Sequence, residues 1–536
     1  MDDERDARAI AAGGRAPASA EDGFDEAIYL RLNPDVRQAL AAGAIASARE
    51  HFEHHGRAEG RPYKLIDKSH RNRVILAGNA EAAARPKRAG AIESVRISET
   101  GGIFVIGWAD DAADPLDSID LYCGGWSVCF DAAALARSRR IDVESALGNV
   151  ARHPHGFWGF LFAGRALGSG PCNAVIRLAS GAEAAVAVAA QATSDHELRK
   201  IVLGYLATLS FYGNAQFAAA TSLRGGIGGQ LVALNRTIGR RLVARPYAQR
   251  FGSARPRYRG SLVVCLYGRP EYMFLQTAAF AREPGMADYE IIFVCNSPQF
   301  GEALLAEAKR CTLIYGIDLT VVILGGNAGV AAANNVAARH SRSDRLLFVN
   351  PDILPRPGCM ARHSELVAAL PAAQTDLFGA ALYYDNGALA HGGMYFDIET
   401  VPDAAGSASL LSVVPYGHGA PAASAAARPV PAVSGALMSV SRPWFETLGG
   451  FTEDYIFGHY EDADFCLKSR ARGRAAWLQD VSFWHLEGHG STRLRQHDGG
   501  AIVNRWLFTH TWRESVARDL LGPDAAPAAR TAGARV

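Results

Sequence analysis

Four short apolar runs constrain this chain more than any other feature: SLVVCL at 261–266, YEIIFVC at 289–295, LTVVIL at 319–324 and DRLLFVN at 344–350. Each is nearly continuous in Val, Ile, Leu and Phe rather than alternating, and helix-forming segments separate them. Such strands are buried on both faces, which predicts a mostly parallel sheet covered by helices. Ligands of these sheets bind beyond the carboxyl ends of the strands. The residues to inspect are therefore Tyr267, Gly268 and Arg269; Cys295, Asn296 and Ser297; Gly325 through Gly329; and Asn350, Pro351 and Asp352. No GxGxxG follows the first run, which disfavours a dinucleotide oxidoreductase.

A second informative stretch runs from Ser434 to Gly490. Glu461, Asp462 and Asp464 stand at the head of an amphipathic segment in which Phe465, Cys466 and Leu467 alternate with Lys468, Arg470 and Arg472. The amino end of a helix favours ionised carboxylates, so an Asp placed there can serve as a base near neutral pH. Farther on, the strand-like VSFWH delivers His485, whose imidazole suits a metal or a phosphate.

The order of these elements (small-residue strand, Arg-Pro-aromatic, Gly-Gly-Phe, acidic pair, basic helix, strand ending in His) resembles the acceptor half of family 2 glycosyltransferases with the GT-A fold. LYGRPEY resembles that family's first nucleotide loop, and GGNAGVAAANN resembles its Asn-x-Gly segment. FVNPDILP resembles its metal motif, with Asn350 in place of the usual first Asp, a variant of rhamnosyltransferase-like members. Cys295 is a further departure, since relatives commonly carry an Asp there. The resemblance covers residues 259 to about 490. It implies a divalent cation (Mn2+ or Mg2+) held by Asp352 and His485, with Asp462 as the base and Glu461 beside it. Tyr267, Arg269, Asn296, Asn327, Gly329, Asn334 and Asn350 would bind a nucleotide-diphosphate sugar donor. Asp464, Gly435 and Trp444 would face a glycan, lipid-linked or protein acceptor. The implied reaction is an inverting transfer of a hexosyl or deoxyhexosyl group, in bacterial surface polysaccharide synthesis. His391 and Gly392 match a His-Gly pattern of the rhamnosyltransferase-like members, or form a plain turn.

That constellation is chemically coherent. Negative charge grows on a diphosphate leaving group as the sugar bond breaks, and a cation held by hard ligands stabilises it. An acceptor hydroxyl is a weak nucleophile, and a carboxylate within reach removes its proton. Two other classes compete. In a non-catalytic binding protein, Asn350 and Cys295 would mark a decayed donor site. Nucleotide transfer to a sugar phosphate needs a Gly-rich basic loop after the first strand, where LYGRPEY supplies only Arg269.

The remainder of the 536 residues exceeds one core, so further domains are expected. The predicted order is a disordered 1–22, a helical interaction module at 23–64, a linker at 65–90, a β-sandwich at 91–192, a helical connector at 193–255, the GT-A domain at 256–498, and a helix and tail at 499–536. The fold class is thus α/β, a GT-A domain preceded by a small helical module and a β-sandwich. In the module, Asn33 is placed to cap a helix with Pro34 first and Gly43 last. His51 and His55 lie one helical turn apart, but Phe52 removes the HExxH pattern. Trp108, Trp126, Trp158 and Tyr122 are either sandwich core or a sugar-binding platform. GGIGG in 225–229 reads as a helix break, and the Ala/Ser/Gly/Pro-rich 401–430 as an irregular lid over the active site.

Lys plus Arg number 55 against 54 Asp plus Glu, which gives no electrostatic case for a nucleic-acid partner. Peripheral membrane or protein contact through the amino-terminal module remains open. Eight scattered cysteines without zinc spacing fit a reduced compartment. With no apolar leader or span, the expected location is the cytoplasm or the periphery of the inner membrane.

Overall fold

The computed structural model describes residues 24–56, 71–72, 74–75, 90–148, 153–209, 223–253, 255–369, 377–403, 406–415, 427–486 and 494–521. The expectations for 1–22, for most of the 65–90 linker and for the tail beyond 521 lie outside these residues.

The chain opens with α1 (Glu26–Leu32), α2 (Pro34–Ala41) and α3 (Ala48–His51). Asn33 acts differently from the expected cap: its side chain donates back to the Tyr29 carbonyl at 2.8 Å and closes α1, while Pro34 starts α2. Gly43 takes the left-handed conformation, φ 69°. Tyr29, Val36, Ala48 and Phe52 form a small core of their own, and the Tyr29 hydroxyl bonds His51 Nδ1 at 3.0 Å.

Nine strands follow: β1 (Val74–Ile75), β2 (Gly90–Ser98), β3 (Gly102–Ala109), β4 (Leu116–Cys123), β5 (Trp126–Asp131), β6 (Ala136–Ser138), β7 (Gly156–Phe162), β8 (Gly170–Leu178) and β9 (Glu183–Thr193), with α4 (Ile141–Leu147) between β6 and β7. The expected two-sheet sandwich is in fact one hydrogen-bonded sheet, in the order β1-β5-β4-β8-β9-β2-β3-β7-β6. It curls so that Val95, Val105, Leu121, Trp126, Phe130 and Phe157 meet in a single core. Trp126 is buried in this core, Trp158 and Tyr122 are buried elsewhere on the sheet, all at 1–2% exposure, and Trp108 is half-buried, so the first three pack rather than offer a sugar platform. Cys123 and Cys172 face each other across β4 and β8 and are joined by a disulfide, which the reduced-cysteine reading did not foresee.

Helices α5 (Asp195–Leu209) and α6 (Gly228–Leu242) connect to the second sheet, and the expected break falls just before α6, where Gly226 has φ 121°. The second sheet contains β10 (Tyr247–Phe251), β11 (Gly260–Leu266), β12 (Tyr289–Cys295), β13 (Leu319–Ile323), β14 (Arg345–Val349), β15 (Ile353–Pro355), β16 (Leu377–Tyr383) and β17 (Leu389–His391). Its later strands are β20 (Arg428–Val430), β21 (Leu437–Ser441) and β22 (Ala476–His485), whereas β18 (Met394–Asp403) and β19 (Gly406–Pro415) form a separate ribbon. The helices interleaved with them are α7 (Tyr272–Phe280), α8 (Gly301–Tyr315), α9 (Val330–Ala338), α10 (Cys359–Ala368), α11 (Arg442–Thr447), α12 (Glu461–Ala471) and α13 (Arg495–Val516).

The four apolar runs are β11 to β14, paired in parallel in the order β13-β12-β11-β14. The sheet then continues through antiparallel β21 to β16, β22 and β15. Large apolar cores cover both faces, as continuous hydrophobic strands require. The ribbon β18–β19 corrects the irregular-lid expectation over 401–403 and 406–415, which are strand, and Leu411 is buried with its N–H on Thr509 Oγ1 of α13 at 2.9 Å. Residues 416–426 of that stretch lie outside the described residues.

One shared core joins the two sheets. Phe104, Trp158 and Phe160 from the curled sheet pack with Leu203, Leu231, Ile238, Ile456 and Val503 from α5, α6 and the second unit. Gly499 permits the closest approach, since a Cβ there would stand 2.1 Å from the Leu203 carbonyl oxygen.

Candidate active site

At the carboxyl edge of the second sheet, β14 ends in the turn Asn350-Pro351-Asp352. Three sets of bonds fix it. Asn350 N–H donates to the Ala436 carbonyl at 2.9 Å, and Ile353 N–H to the Asn350 carbonyl at 3.1 Å. From α7, the Gln276 amide donates to the carbonyls of Asn350 and Ile353 at 2.8 and 3.1 Å. Strand β15 pairs antiparallel with the end of β22, which sets Ile353 opposite His485, and Leu486 N–H donates to the Asp352 carbonyl at 3.0 Å. The outcome is His485 Nε2 at 3.7 Å from Asp352 Oδ1. Adjacent ligand atoms each about 2.0–2.2 Å from one ion stand roughly 3–3.5 Å apart, a separation that a small inward shift of either side chain reaches. One carboxylate and one imidazole suit a divalent cation that takes its remaining ligands from water or a diphosphate.

His391 lies beside this pair. Its Nδ1 accepts the Gly393 N–H at 3.2 Å, so the proton sits on Nε2, which is buried with no partner among the described residues. Burial, with His485 nearby, holds the His391 pKa down at about 4, so the ring is neutral.

The acidic pair is placed by a strained segment. Phe457, His459 and Tyr460 have φ of 63°, 79° and 75°, a left-handed run that non-glycine residues adopt only when the surroundings enforce it. Asn504 of α13, fully buried, supplies much of that enforcement. Its Oδ1 accepts Ile456 N–H at 2.7 Å, and its Nδ2 donates to the carbonyls of Ile456, Gly458 and His459 at 3.0, 2.6 and 3.3 Å. Helix α12 then begins at Glu461. The Asp462 carboxylate accepts Gly435 N–H on Oδ2 and Ala463 N–H on Oδ1, both at 2.8 Å. Since Ala436 holds Asn350, the Asp462 carboxylate and the Asp352 turn are anchored to adjacent residues.

Asp462 is partly accessible, whereas Glu461 is 8% exposed and its Oε2 has no partner among the described residues. Burial, with Asp462 and then Asp464 adding like charge, pushes the Glu461 carboxyl up to about 8. Burial raises Asp462 as well, opposed by its two N–H donors. Burial and mutual like charge oppose ionisation of both members at once, and the two N–H donors favour Asp462 as the one that carries the charge.

Other sequence candidates are placed as follows. Gly435 is at the site through its bond to Asp462. Asp464 is internal: it accepts from Thr452 Oγ1 at 2.6 Å and Trp512 Nε1 at 2.8 Å, and pairs with Lys468 at 3.5 Å. Trp444 is also internal, donating to Ser469 Oγ at 3.0 Å under the Arg474 guanidinium. Both were expected to face an acceptor, and the burial that satisfies their polar atoms removes them from one. Asn296 is 2% exposed and spends its side chain on Ala328 N–H and the Gly329 carbonyl, at 3.3 and 3.2 Å. Asn327 accepts Gly329 N–H at 3.0 Å. Gly329, at φ 89°, lets the loop lie against the Phe457 backbone. Asn334 is buried in α9 with Oδ1 unpartnered among the described residues. Tyr267 stands edge-on to His497 at 5.7 Å, and Arg269 pairs with Glu271.

Sequence reasoning passed over Gln276 and Asn504, polar residues inside otherwise apolar helices. Their burial at 0% exposure is the signal, and it needs the tertiary structure. It also passed over a convergence of three ligand-type side chains away from the crevice. Asp111, His153 and His155, beside the curled sheet, bring their ligand atoms within 4.8 Å of one another. There Arg137 also pairs with Asp111 at 2.7 Å, and His155 Nδ1 donates to the Ala109 carbonyl at 2.9 Å.

A mixed sheet with parallel central strands and ionisable groups gathered at their carboxyl edge is the arrangement in which α/β proteins place ligand sites. No family model matches the chain. The uncharacterized protein y4gI of Sinorhizobium fredii (strain NBRC 101917 / NGR234) is 31% identical over 169 residues, which is 30% of this chain and 18% of that protein. The chain therefore matches less than a fifth of that relative's length. Among solved structures, the mannosyltransferase PcManGT from Pyrobaculum calidifontis, in complex with GDP-Man and Mn2+, is 14% identical over 59% of this chain and 87% of its own, with a TM-score of 0.30. GalNAc-T7 with UDP, GalNAc and Mn2+ is 14% identical over 49% of this chain and 51% of its own, at 0.34. TarS 1-349 of S. aureus with UDP-GlcNAc is 15% identical over 44% of this chain and 59% of its own, at 0.30. Likenesses at these scores decide neither fold family nor chemistry.

Proposed function

We propose that the chain is a glycosyltransferase that moves a hexosyl or deoxyhexosyl group from a nucleoside diphosphate-sugar to a hydroxyl of a glycan, lipid-linked or protein acceptor, with inversion. The carrying observation is Asp352 and His485, 3.7 Å apart at the carboxyl edge, with the Glu461–Asp462 pair anchored to the adjacent backbone. A divalent cation, Mn2+ or Mg2+, bound by Asp352 and His485 would offset charge growing on the leaving diphosphate. Asp462, aimed by two N–H donors, takes the acceptor hydroxyl proton. Glu461, kept neutral, leaves Asp462 as the ionised member of the pair and holds a proton that can hydrogen-bond an incoming oxygen. His391 presents an N–H to the same region. Surface polysaccharide synthesis at the cytoplasmic face of the inner membrane is the setting that this reading proposes.

A non-catalytic nucleotide- or glycan-binding protein is the second reading, favoured by Asn296 and Cys295, which are occupied inside the fold where a base-reading group is expected. Donor hydrolysis separates the two. The purified chain is assayed with UDP-, dTDP- and GDP-sugars, with and without Mn2+ or Mg2+, beside Asp462→Asn and Asp352→Ala. The transferase reading expects slow metal-dependent release of one nucleotide, reduced in both variants by roughly 100-fold or more for the loss of the base. Tight nucleotide binding with no turnover under any acceptor would establish the second reading.

A further inference from the structure

Helix α5 belongs to the connector, yet it sends Arg199 into the seam behind the carboxyl edge. Arg199 is 4% exposed, and its guanidinium lies 4.6 Å over the Phe457 ring. Nη1 donates to Asn235 Oδ1 of α6 at 2.5 Å. Among the described residues Arg199 makes no ion pair, and the titratable neighbours that bear on it are the Tyr267 phenol and His196. Burial without a counter-charge brings its pKa down to about 10. A guanidinium carries five N–H donors and always seeks oxygen acceptors, so a desolvated one given a single neutral amide is an unusual expense of stability.

Its surroundings point to an occupant. Phe457 opens the strained segment before Glu461 and Asp462, and its carbonyl accepts Val330 N–H at the start of α9 at 2.6 Å. Tyr267 follows β11. His497 of α13 stands between them, its ring 5.7 Å from Tyr267 and 4.9 Å from Phe457. The first strand's loop, the amino end of α9, the strained segment and the connector thus converge around one buried cation. We propose that Arg199, with Tyr267 and His497, forms an anion subsite that takes a phosphoryl group of a nucleoside diphosphate. The connector would then complete the donor site of the second sheet, an inference that rests on the transferase reading. The planar fork of Arg199 matches phosphate oxygens, and Phe457 holds it in place.

The test uses the full chain, thermal melting and equilibrium binding, with inorganic pyrophosphate and with UDP, dTDP and GDP as probes. Arg199→Met removes the charge, and Asn235→Asp supplies an internal counter-charge in its place. Without anion, both variants melt above the wild type, because an uncompensated buried charge has been removed or paired. Pyrophosphate raises the wild-type melting temperature and leaves Arg199→Met unmoved, and affinity falls roughly 10- to 100-fold in both variants, the range for losing a hydrogen bond to a charged group. If Arg199→Met melts lower than wild type and binds the probes equally, Arg199 is a structural residue and the inference is overturned, while nucleotide binding by all forms leaves the transferase reading standing. Arg199-dependent binding of pyrophosphate without any nucleoside diphosphate binding keeps the subsite and removes the transferase reading. A wild type that binds no probe overturns both.

Discussion

Replacing Glu461 by Gln isolates the protonation of the acidic pair. The Glu461 carboxyl is raised from its ordinary 4.5 to about 8, chiefly by burial and then by Asp462. A group raised on folding contributes stability that is complete below its unfolded pKa and is lost as pH rises through the folded value. Between pH 4.5 and about 8 the folded chain therefore holds a proton that the unfolded chain has released. Each pH unit in that window costs about 1.4 kcal/mol, and the whole displacement corresponds to roughly 5 kcal/mol at most. Gln cannot titrate, keeps the shape and supplies a donor where the neutral acid had one. Urea unfolding of wild type and Glu461→Gln at pH 5, 6.5, 8 and 9 is the assay. The difference in unfolding free energy should move in favour of Gln by a few kcal/mol from pH 5 to 8 and then level off. Parallel profiles across the whole range would mean that Glu461 is ionised in the folded state, and the neutral-acid argument would fail.

Asn504→Leu leaves three carbonyls and one N–H of the Ile456–His459 segment without their partner, so a loss of roughly 2–4 kcal/mol is expected by denaturant unfolding. If the segment positions the acidic pair, turnover falls in Asn504→Leu even under conditions where it remains folded. Thiol titration of the unreduced, denatured protein should count six free cysteines out of eight, the Cys123–Cys172 pair being oxidised. A count of eight after purification under air would show that this pair stays reduced.

The amino-acid order by itself determined the parallel core. Four nearly continuous apolar runs can be buried on two faces only by a helix-covered sheet, and β11 to β14 fall on them. It also pointed to Asp352 and His485 as residues to inspect, because one follows the end of β14 and the other ends β22, and strand ends are legible from where hydrophobicity stops. It did not distinguish a two-layer sandwich from one curled sheet, since alternation along a strand reports which face is buried but not which neighbour buries it. The Ala- and Ser-rich residues before Pro415 read as irregular because their apolar positions become meaningful only against α13. Asp464 and Trp444, singled out from the same stretch, are internal, their polar atoms answered by Thr452, Trp512 and Ser469. What tertiary structure alone decided is the set of long-range polar contacts: Gln276 on the Asp352 turn, Asn504 under the strained segment, Gly435 on Asp462, and Arg199 left without a counter-charge. These join residues from 27 to 77 positions apart. Hydrogen-bond geometry and desolvation, which give them their effect, depend on distances that no local pattern of residue types encodes.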